Sequence, residues 1–405
     1  MAPSNALERT VPRASGREFD LVVYGATGYT GRVVVEYLVA LRERETRGLK
    51  WAIAGRNADK LAEVLHSTGA SASTPVLVAD AADGDALAAL AARTRVILTT
   101  AGPYQLHGAP LLGACVACGT DYVDLCGEPV WMRAMIDRFD AAARDSGARI
   151  VFSCGFDSIP FDIGVWHLQQ LALGSFGTPC RDVEARVREL RGSLSGGTLA
   201  SLGATRDASR DARVAALMRD PFALTPGFAG PDQPADDQPR FDERNDTWLA
   251  PFLMAPINSK NVHRSNLLLE HAYGTDFRYS EMLVTGRGER GEWIARSIAA
   301  DSPLLRRDAA RPGAGPSVEE RERGRYEILF IGRTPDGRVL RTSVAGDRDP
   351  GYGSTSMMVV QSALCLLTGE VHKGGGLWTP AAALAPSLVG RLTADAGLTI
   401  SIDPA

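Results

Sequence analysis

The sequence predicts an α/β protein, in which a Rossmann-type doubly wound parallel sheet carries an inserted α+β domain of mixed or antiparallel sheet. Apolar strand patterns and amphipathic helix patterns alternate through the first part of the chain, an order typical of a parallel sheet covered on both faces. We expect six strands in the order 3-2-1-4-5-6. After roughly residue 178 this alternation gives way to period-two strands separated by turns.

The turn after the first strand is the strongest functional signal. Residues 25–31 carry three glycines at the spacing G-x-x-G-x-x-G, between an apolar run and a helical pattern. Glycines at this spacing permit a sharp turn, close approach of backbone to a pyrophosphate, and close helix packing. We expect dinucleotide binding rather than a plain βα connection. The predicted contacts are Gly25, Thr27, Gly28, Tyr29, Thr30 and Gly31.

The end of the second strand indicates which dinucleotide binds. An NAD-binding protein would place an acidic residue there for the ribose hydroxyls, but this strand ends in Arg56 and Asn57. Arg56 can pair with a 2′-phosphate, although a solvated surface arginine is the alternative. We therefore predict NADP(H), with Asn57 as the N-cap of the next helix. Asp80, after the third strand, is expected near the adenine.

The loop after the fourth strand is expected to flank the nicotinamide ribose. Carboxyl ends of parallel strands share one edge of the sheet, and ligands bind there at the switch point of strand order. Ala101, Gly102 and Pro103 occupy this loop, so we predict that they contact the cofactor.

Four residues are candidate proton donors: Tyr104, Asp157, Ser158 and Tyr352. Tyr104 follows the fourth strand, and a packed aromatic is its alternative role. Asp157 and Ser158 follow the sixth strand, where they or Asp162 could instead cap the next helix. Tyr352 lies in a second glycine-rich turn, at residues 349–355, which opens a helix whose N-terminus also offers N–H groups.

The chain divides into four predicted segments. They are a disordered leader at 1–17, an NADP-binding domain at 18–160, a substrate and catalytic domain at 161–350, and a C-terminal segment at 351–405 that returns to the first domain. The leader is polar and lacks the apolar core of a signal peptide. Residues 220–247 are rich in Pro, Asp and Gly, which predicts a long surface loop, either a mobile lid or disordered.

Composition argues against several classes of protein. The net charge of −4 gives no basic signature for nucleic acid, and the apolar stretches are too interrupted for a membrane-spanning helix. Cys115 and Cys118 form a C-x-x-C, but no second pair or suitably spaced histidine accompanies it. We interpret them as small residues of a buried helix and predict no metal site. We expect a cytoplasmic protein, with peripheral membrane attachment left open.

Five motifs give the chain a family resemblance. They lie at residues 25–31, 54–57, 101–104, 155–160 and 376–380. With them the chain resembles the saccharopine dehydrogenase-like oxidoreductases, and more narrowly the trans-acting enoyl reductases of polyketide and lipid biosynthesis. The resemblance covers nearly the whole chain and implies an NADP-binding domain with an inserted substrate domain.

The resemblance also implies reduction of an α,β-unsaturated acyl thioester, held on the carrier protein of a polyketide synthase. The apolar segment at 248–256 suits an acyl chain. One alternative is saccharopine-type C–N oxidoreduction of an amino acid, which needs clustered arginines; Arg206, Arg210, Arg264 and Arg278 are available. A non-catalytic NADP sensor that binds a partner protein is the other alternative. A homodimer is left open.

Overall fold

The strands form two seven-stranded sheets, here called sheet A and sheet B. The structure is a computed structural model, and it describes residues 16–41, 48–192, 203, 205, 208, 210–300, 315–369, 371 and 373–403. Residues 1–15 of the predicted leader, the predicted turn at 193–197, Arg206 and most of the first part of the helix predicted at 198–217 lie outside these residues.

Sheet A is parallel throughout. Its strands are β1 (Phe19–Tyr24), β2 (Trp51–Gly55), β3 (Val76–Val78), β4 (Thr94–Thr99), β5 (Asp121–Val123), β6 (Arg149–Val151) and β13 (Gly376–Trp378). Their order is β3-β2-β1-β4-β5-β6-β13. The predicted order of the first six strands is confirmed, and β13 extends the sheet beyond β6 from the far end of the chain.

Six helices connect or follow the strands of sheet A. They are α1 (Tyr29–Ala40), α2 (Ala58–Thr68), α3 (Gly84–Ala92), α4 (Tyr104–Cys118), α5 (Pro129–Ser146) and α6 (Ile159–Phe176). The local signals for α2 are clear in the sequence. Asn57 caps it by accepting a hydrogen bond from the Lys60 N–H at 2.9 Å, as predicted, and Gly69 ends it in the left-handed conformation.

Sheet B is mixed, as the change of sequence pattern predicted. Its strands are β7 (Asp182–Arg191), β8 (Arg240–Asp242), β9 (Thr247–Pro251), β10 (Arg278–Gly286), β11 (Arg325–Arg333), β12 (Val339–Gly346) and β14 (Leu398–Ile402). Their order is β14-β12-β11-β7-β10-β9-β8. The β7–β10 pair is parallel and the other pairs are antiparallel.

The structure describes seven more helices, of which two are buried on most of their surface. The seven helices are α7 (Ala212–Arg219), α8 (Ala255–Leu268), α9 (Gly288–Ala300), α10 (Val318–Arg323), α11 (Thr355–Leu367), α12 (Pro380–Leu384) and α13 (Ser387–Asp395). A π-helical turn, Pro350–Ser354, precedes α11. Helix α11 is buried on nearly every side and packs against α1 and β4. Helix α8 is also buried along its length, although many of its residues are polar.

A glycine in α6 shows how sheet B is covered. A Cβ on Gly164 would lie 2.3 Å from the ring of Phe330 in β11, so only glycine lets the helix lie this close to the sheet. The Phe156 ring extends the contact through edge-on pairs with the rings of Phe161 and Tyr326. The start of α6 therefore joins sheet A, from which it leaves, to sheet B, on which it packs.

Three features of the structure differ from what the sequence predicts. Residues 220–247 are not all surface loop, because Phe222, Leu224 and Thr225 are buried and β8 lies within the segment. The C-terminal segment divides between the sheets, with β13 in sheet A and β14 in sheet B. Arg17 donates hydrogen bonds to the Ala91 and Thr94 carbonyls, so the end of the predicted leader is attached. The predicted domain limits themselves remain a prediction.

Candidate functional site

The first glycine turn has a geometry that requires glycine at two positions. Gly25 has φ +84°, and a Cβ on it would lie 3.0 Å from the Ala101 nitrogen. A Cβ on Gly31 would lie 2.4 Å from the Gly25 carbonyl oxygen. Gly28 is different, because its nearest neighbour would be 3.4 Å away and the residue is exposed. Because Gly28 has no side chain, there is open space on the outer face of the turn.

That open face lies at the N-terminus of α1. Gly28 is the N-cap, no side chain caps the helix, and its first turn has no acidic residue. The N–H groups of Tyr29, Thr30 and Gly31 lack acceptors within the helix, and the helix dipole favours an anion there. Thr27 is half-buried beside them. The residues present thus fit a pyrophosphate.

The N-terminus of α4, at the same edge of sheet A, is closed by the protein itself. The buried Glu128 carboxylate accepts hydrogen bonds from the Tyr104 N–H at 2.9 Å and the Gln105 N–H at 2.8 Å. A carboxylate in this position satisfies the free N–H groups and opposes the approach of a second anion. Of these two helix N-termini, only that of α1 is available for a phosphate.

The ends of β2 and β3 lie beside one another. The pKa of Tyr24 is raised to about 12, first by burial and then by the nearby Asp80 carboxylate, while Arg56 acts in the opposite direction. Asp80 is exposed and accepts a hydrogen bond from the Ala82 N–H at 2.9 Å. The exposed Arg56 side chain has no hydrogen bond or ion pair to the described residues. Its guanidinium fits the 2′-phosphate of NADP(H).

The loop after β4 lies against the glycine turn. Besides the close approach of Ala101 to Gly25, the Thr100 hydroxyl donates to the Gly25 carbonyl at 3.1 Å. Gly102 is exposed and Pro103 half-buried. The structure therefore brings Ala101, Gly102 and Pro103 to the same edge as the α1 N-terminus, where a bound dinucleotide would pass.

Tyr104 is buried, and its hydroxyl donates one hydrogen bond and accepts another within the protein. The hydroxyl donates to the Thr99 carbonyl at 3.2 Å and accepts from the Leu125 N–H at 3.0 Å. Burial raises its pKa well above the ordinary value, and its ring packs on Trp131 at 5.6 Å between centroids. This arrangement favours the packed-aromatic interpretation over proton donation.

Ser158 is held in a buried polar network that reaches sheet B. Its hydroxyl donates to Asn258 Oδ1 at 3.2 Å and accepts from Asn261 Nδ2 at 3.0 Å. Asn258 in turn donates to Glu281 Oε1 at 2.8 Å, and the Tyr279 hydroxyl donates to Glu281 Oε2 at 2.6 Å. Burial raises the pKa of Glu281 to about 8. The network fixes α8 between the loop after β6 and strand β10.

Helix capping at the start of α6 differs from the sequence expectation. Ser158 occupies the N-cap position but makes no side-chain cap. Asp162 is buried and accepts from the Ser265 hydroxyl at 2.5 Å and the Ala381 N–H at 2.8 Å, so it binds the first turn of α12 instead. Burial raises its pKa to about 7. Asp157 is half-buried at the end of the β6–α6 loop and remains a candidate donor.

Tyr352 lies in the second glycine-rich turn and touches the first. Its buried ring packs edge-on against Tyr29, with centroids 4.5 Å apart. The Tyr29 hydroxyl donates to the Pro316 carbonyl. Asp349 accepts hydrogen bonds from the Tyr352 N–H at 2.8 Å and the Gly353 N–H at 3.4 Å. The N–H groups predicted to be available at this second turn are therefore bonded to the chain's own carboxylate.

A cavity of about 1040 Å³ lies on sheet B, against α8 and the 218–237 segment. Its wall includes Lys260, whose ammonium donates to the Met218 carbonyl at 2.9 Å and the Pro256 carbonyl at 3.0 Å. Burial lowers the pKa of Lys260 to about 8. His263 also belongs to the wall, and burial lowers its pKa to about 3, so its ring is neutral.

Sequence reasoning missed two residues in different parts of the molecule, Glu128 at the N-terminus of α4 and Lys260 at the wall of the cavity. Glu128 was visible only as a polar residue in a loop, and its capping role depends on the packing of α4 beside α5. Lys260 stood out only as one of four lysines, since nothing local shows that a polar helix such as α8 is buried.

The described part of the chain contains no group of three or more His, Cys, Asp or Glu side chains arranged to hold a metal ion. Cys115 is buried and Cys118 partly exposed, both on α4 and both unpaired. Among the helices described, none combines the length and apolar character needed to cross a bilayer.

The glycine turn, the open α1 N-terminus and Arg56 are features of a dinucleotide-binding protein, and a cavity lies on its second sheet. Residues 21–151 match the model of the saccharopine dehydrogenase NADP binding domain. A trans-acting enoyl reductase from Mycobacterium bovis is 36% identical over 93% of this chain and 96% of its own length, and one from Mycobacterium ulcerans is 37% identical over the same shares.

A Mycobacterium tuberculosis protein whose name gives the same activity provisionally is 39% identical, over 96% of this chain and 98% of its own. This chain belongs to the trans-acting enoyl reductase family, and it is an NADP(H)-dependent oxidoreductase. Among solved structures, a saccharopine dehydrogenase from Saccharomyces cerevisiae matches with a TM-score of 0.47 and 13% identity, over 95% of this chain and 100% of that one. So distant a likeness carries no argument about function.

Proposed function

We propose that this chain reduces the α,β double bond of an acyl thioester carried by a partner synthase. NADPH supplies the hydride, which goes to the β-carbon, and a proton goes to the α-carbon, so that the double bond becomes single and NADP⁺ is released. The observation that carries the proposal is a large cavity with a mainly apolar wall on sheet B of a chain whose residues 21–151 match an NADP-binding domain. The names of the full-length relatives support the same chemistry.

The cofactor domain has two tasks in this reaction. The α1 N-terminus binds the pyrophosphate, and Arg56 selects the phosphorylated ribose. The loop after β4 then lies where the nicotinamide ribose would rest, beside the ends of β5 and β6.

Of the four candidate proton donors, Asp157 fits best. Tyr104, Ser158 and Tyr352 are buried, whereas Asp157 is only half-buried at the carboxyl edge of sheet A. If Asp157 delivers the proton, Asp157→Asn should lower kcat about 100-fold with little change in KM. Ser158→Ala should change both constants less.

The amino-acid alternative has weaker support. It needs arginines that converge on a substrate carboxylate. Arg264 is buried and donates to the Leu224 and Leu377 carbonyls, whereas Arg278 lies exposed near Asp182. These two arginines therefore face different surroundings, and neither belongs to the wall of the cavity.

The test is NADPH oxidation by the purified full chain with two kinds of substrate. A crotonyl pantetheine thioester represents the enoyl class, and a 2-oxo acid with an amino acid represents the C–N class. Turnover with the crotonyl thioester alone supports the proposal, and loading that acyl group on a carrier protein should lower KM. Turnover only with the amine pair would overturn it, as would tight NADPH binding without turnover of either.

A further inference from the structure

The cavity on sheet B, here called the sheet B cavity, is large enough to be a binding chamber. Its volume of about 1040 Å³ lies at the upper end of the range for small-molecule sites, roughly 300–1,000 Å³. Strands β7, β9 and β10 contribute to its floor, and the first turns of α8 and the 218–237 segment contribute to its sides.

The apolar part of the wall is incompletely covered by the protein. Five aliphatic side chains there are only half-buried: Leu190, Leu253, Leu283, Val284 and Ile298. Apolar surface gathered in one concavity is typical of a ligand site rather than of scattered surface residues. A hydrocarbon chain would remove these side chains from water.

His263 belongs to the wall, but its ring nitrogen Nε2 is buried. His263 is 3% exposed, and its Nε2 has no hydrogen-bond partner among the described residues. Its ring is held by Phe222 at 4.5 Å and Phe277 at 5.7 Å between centroids. Because this nitrogen is inaccessible from the cavity, His263 contributes packing to the wall and no hydrogen bond to a ligand.

Two of the charged groups at the wall form ion pairs within the protein, and three others, Arg219, Asp232 and Asp237, are exposed to solvent. Arg188 pairs with Glu327 at 2.9 Å and with Asp403 at 2.5 Å. Asp236 pairs with Arg240 at 3.1 Å. A ligand with a long uncharged body therefore suits the cavity better than a polycarboxylate.

The cavity also lies next to the edge of sheet A where the cofactor fits. The Met254 methyl group is 4.0 Å from where a Cβ on Gly127, in the loop after β5, would be. Phe252, which lines the cavity, packs on Phe161 of α6 at 5.6 Å between ring centroids. Residues 252–256 thus connect the carboxyl edge of sheet A with the cavity.

We propose that the sheet B cavity binds the hydrocarbon chain of the acyl substrate, and that Leu283 and Val284 contact that chain. This inference rests on the proposed function and specifies where the acyl group lies. It also predicts binding that needs neither turnover nor NADPH.

The first experiment measures binding of cis-parinaric acid, a fluorescent fatty acid, to the full chain. We expect saturable binding of one molecule per chain, displaced by palmitoyl pantetheine. Each added methylene of a competitor should improve its affinity about fourfold until the cavity is filled. Val284→Trp should weaken binding at least tenfold, while Val339→Trp, on the exposed end of β12, should leave it unchanged.

Further variants keep the inference testable if Val284→Trp does not fold. Leu283→Ala should shift the preferred competitor towards longer chains. His263→Phe keeps the ring packing, so it should leave the binding of stearic acid unchanged. Melting curves and NADPH binding verify the fold of each variant.

Two outcomes would overturn the inference: no saturable binding by wild type, or the same binding by folded Val284→Trp and wild type. The proposed function fails separately. If palmitoyl pantetheine binds but no enoyl thioester is reduced, the reductase assignment is wrong, and the assignment of the sheet B cavity to the acyl group is supported. If crotonyl and long-chain enoyl thioesters are reduced with equal KM, the proposed enoyl reduction is supported, and the assignment of the sheet B cavity to the acyl group is wrong.

Discussion

Two glycine-rich turns lie against each other in this protein, and they treat an anion in opposite ways. Residues 25–31 open α1 with no side-chain cap and no acidic residue in the first turn. Residues 349–354 lead into α11, and there Asp349 accepts hydrogen bonds from the Tyr352 and Gly353 N–H groups. The rings of Tyr29 and Tyr352 join the two turns.

The difference lies in one carboxylate and in access to solvent. The first turn exposes Gly28, whereas Tyr352, Gly353 and Ser354 in the second are buried. Glycine content therefore identifies places where backbone must turn tightly, but an anion site also needs donors that the chain leaves unused. By that criterion the first turn is the candidate anion site, and the second turn has a structural role.

The largest expected effect comes from Gly31→Ala. The new methyl group would lie 2.4 Å from the Gly25 carbonyl oxygen, so α1 must move away from the turn. We expect NADPH affinity to fall more than 100-fold, measured by quenching of protein fluorescence. The matched control is Gly353→Ala in the second turn, where the nearest atom would be 3.4 Å away. Wild-type affinity in Gly31→Ala would refute the role given to the first turn.

Arg56→Asp should produce the next largest effect. The substitution removes a charge-assisted contact and places a carboxylate beside the 2′-phosphate, which we expect to weaken NADPH about 100-fold. NADH affinity should stay the same or improve, and calorimetry with both cofactors measures the ratio. Arg287→Ala, at an exposed arginine between β10 and α9, is the control. Equal losses of affinity for NADPH and NADH would show that Arg56 does not recognise the 2′-phosphate.

Gly28→Ala separates binding from folding. Its Cβ would meet no atom closer than 3.4 Å, so the melting temperature should stay near that of wild type. The methyl group would project into the space meant for the pyrophosphate, and NADPH affinity should fall about tenfold. Saturating NADPH should then raise the melting temperature of wild type more than that of the variant. An equal rise in both would contradict this placement.

Asp349→Ala should have the smallest effect on cofactor binding. Loss of a capping carboxylate costs about 1 kcal/mol of the free energy of unfolding, measurable by urea denaturation. NADPH affinity and a stoichiometry of one per chain should be unchanged, because burial of the second turn prevents it from becoming a phosphate site. A second bound NADPH would mean that the carboxylate alone separates the two turns.

Much of sheet A could be predicted because its signals are local. The glycine spacing, Asn57 as a cap and the apolar strands each lie within a few neighbouring residues. Strands β13 and β14 could not be predicted in the same way. Strand β13 has only three residues, and its partner β6 is far away in sequence, so nothing local specifies the pairing.

The candidate site was predictable to a similar degree. The sequence indicated the cofactor-binding edge but could not distinguish exposed polar groups from engaged ones. Tyr104 had the chemistry of a proton donor, yet the Thr99 carbonyl and the Leu125 N–H occupy its hydroxyl. The sequence of the second turn predicted available N–H groups, but Asp349, the first residue of that turn, accepts hydrogen bonds from two of them. Such partners are decided by packing and not by composition.

The position of β13 has a consequence for how the protein is made. Strand β6 ends at Val151 and its outer neighbour begins at Gly376, so the ribosome must add more than 200 residues before sheet A is complete. At about 5–20 residues per second this delay is roughly 10 to 45 s. Throughout that time the nascent chain presents β6 without β13, and an unpaired strand edge invites intermolecular pairing. The yield of folded protein should therefore depend on translation speed and on chaperone capacity.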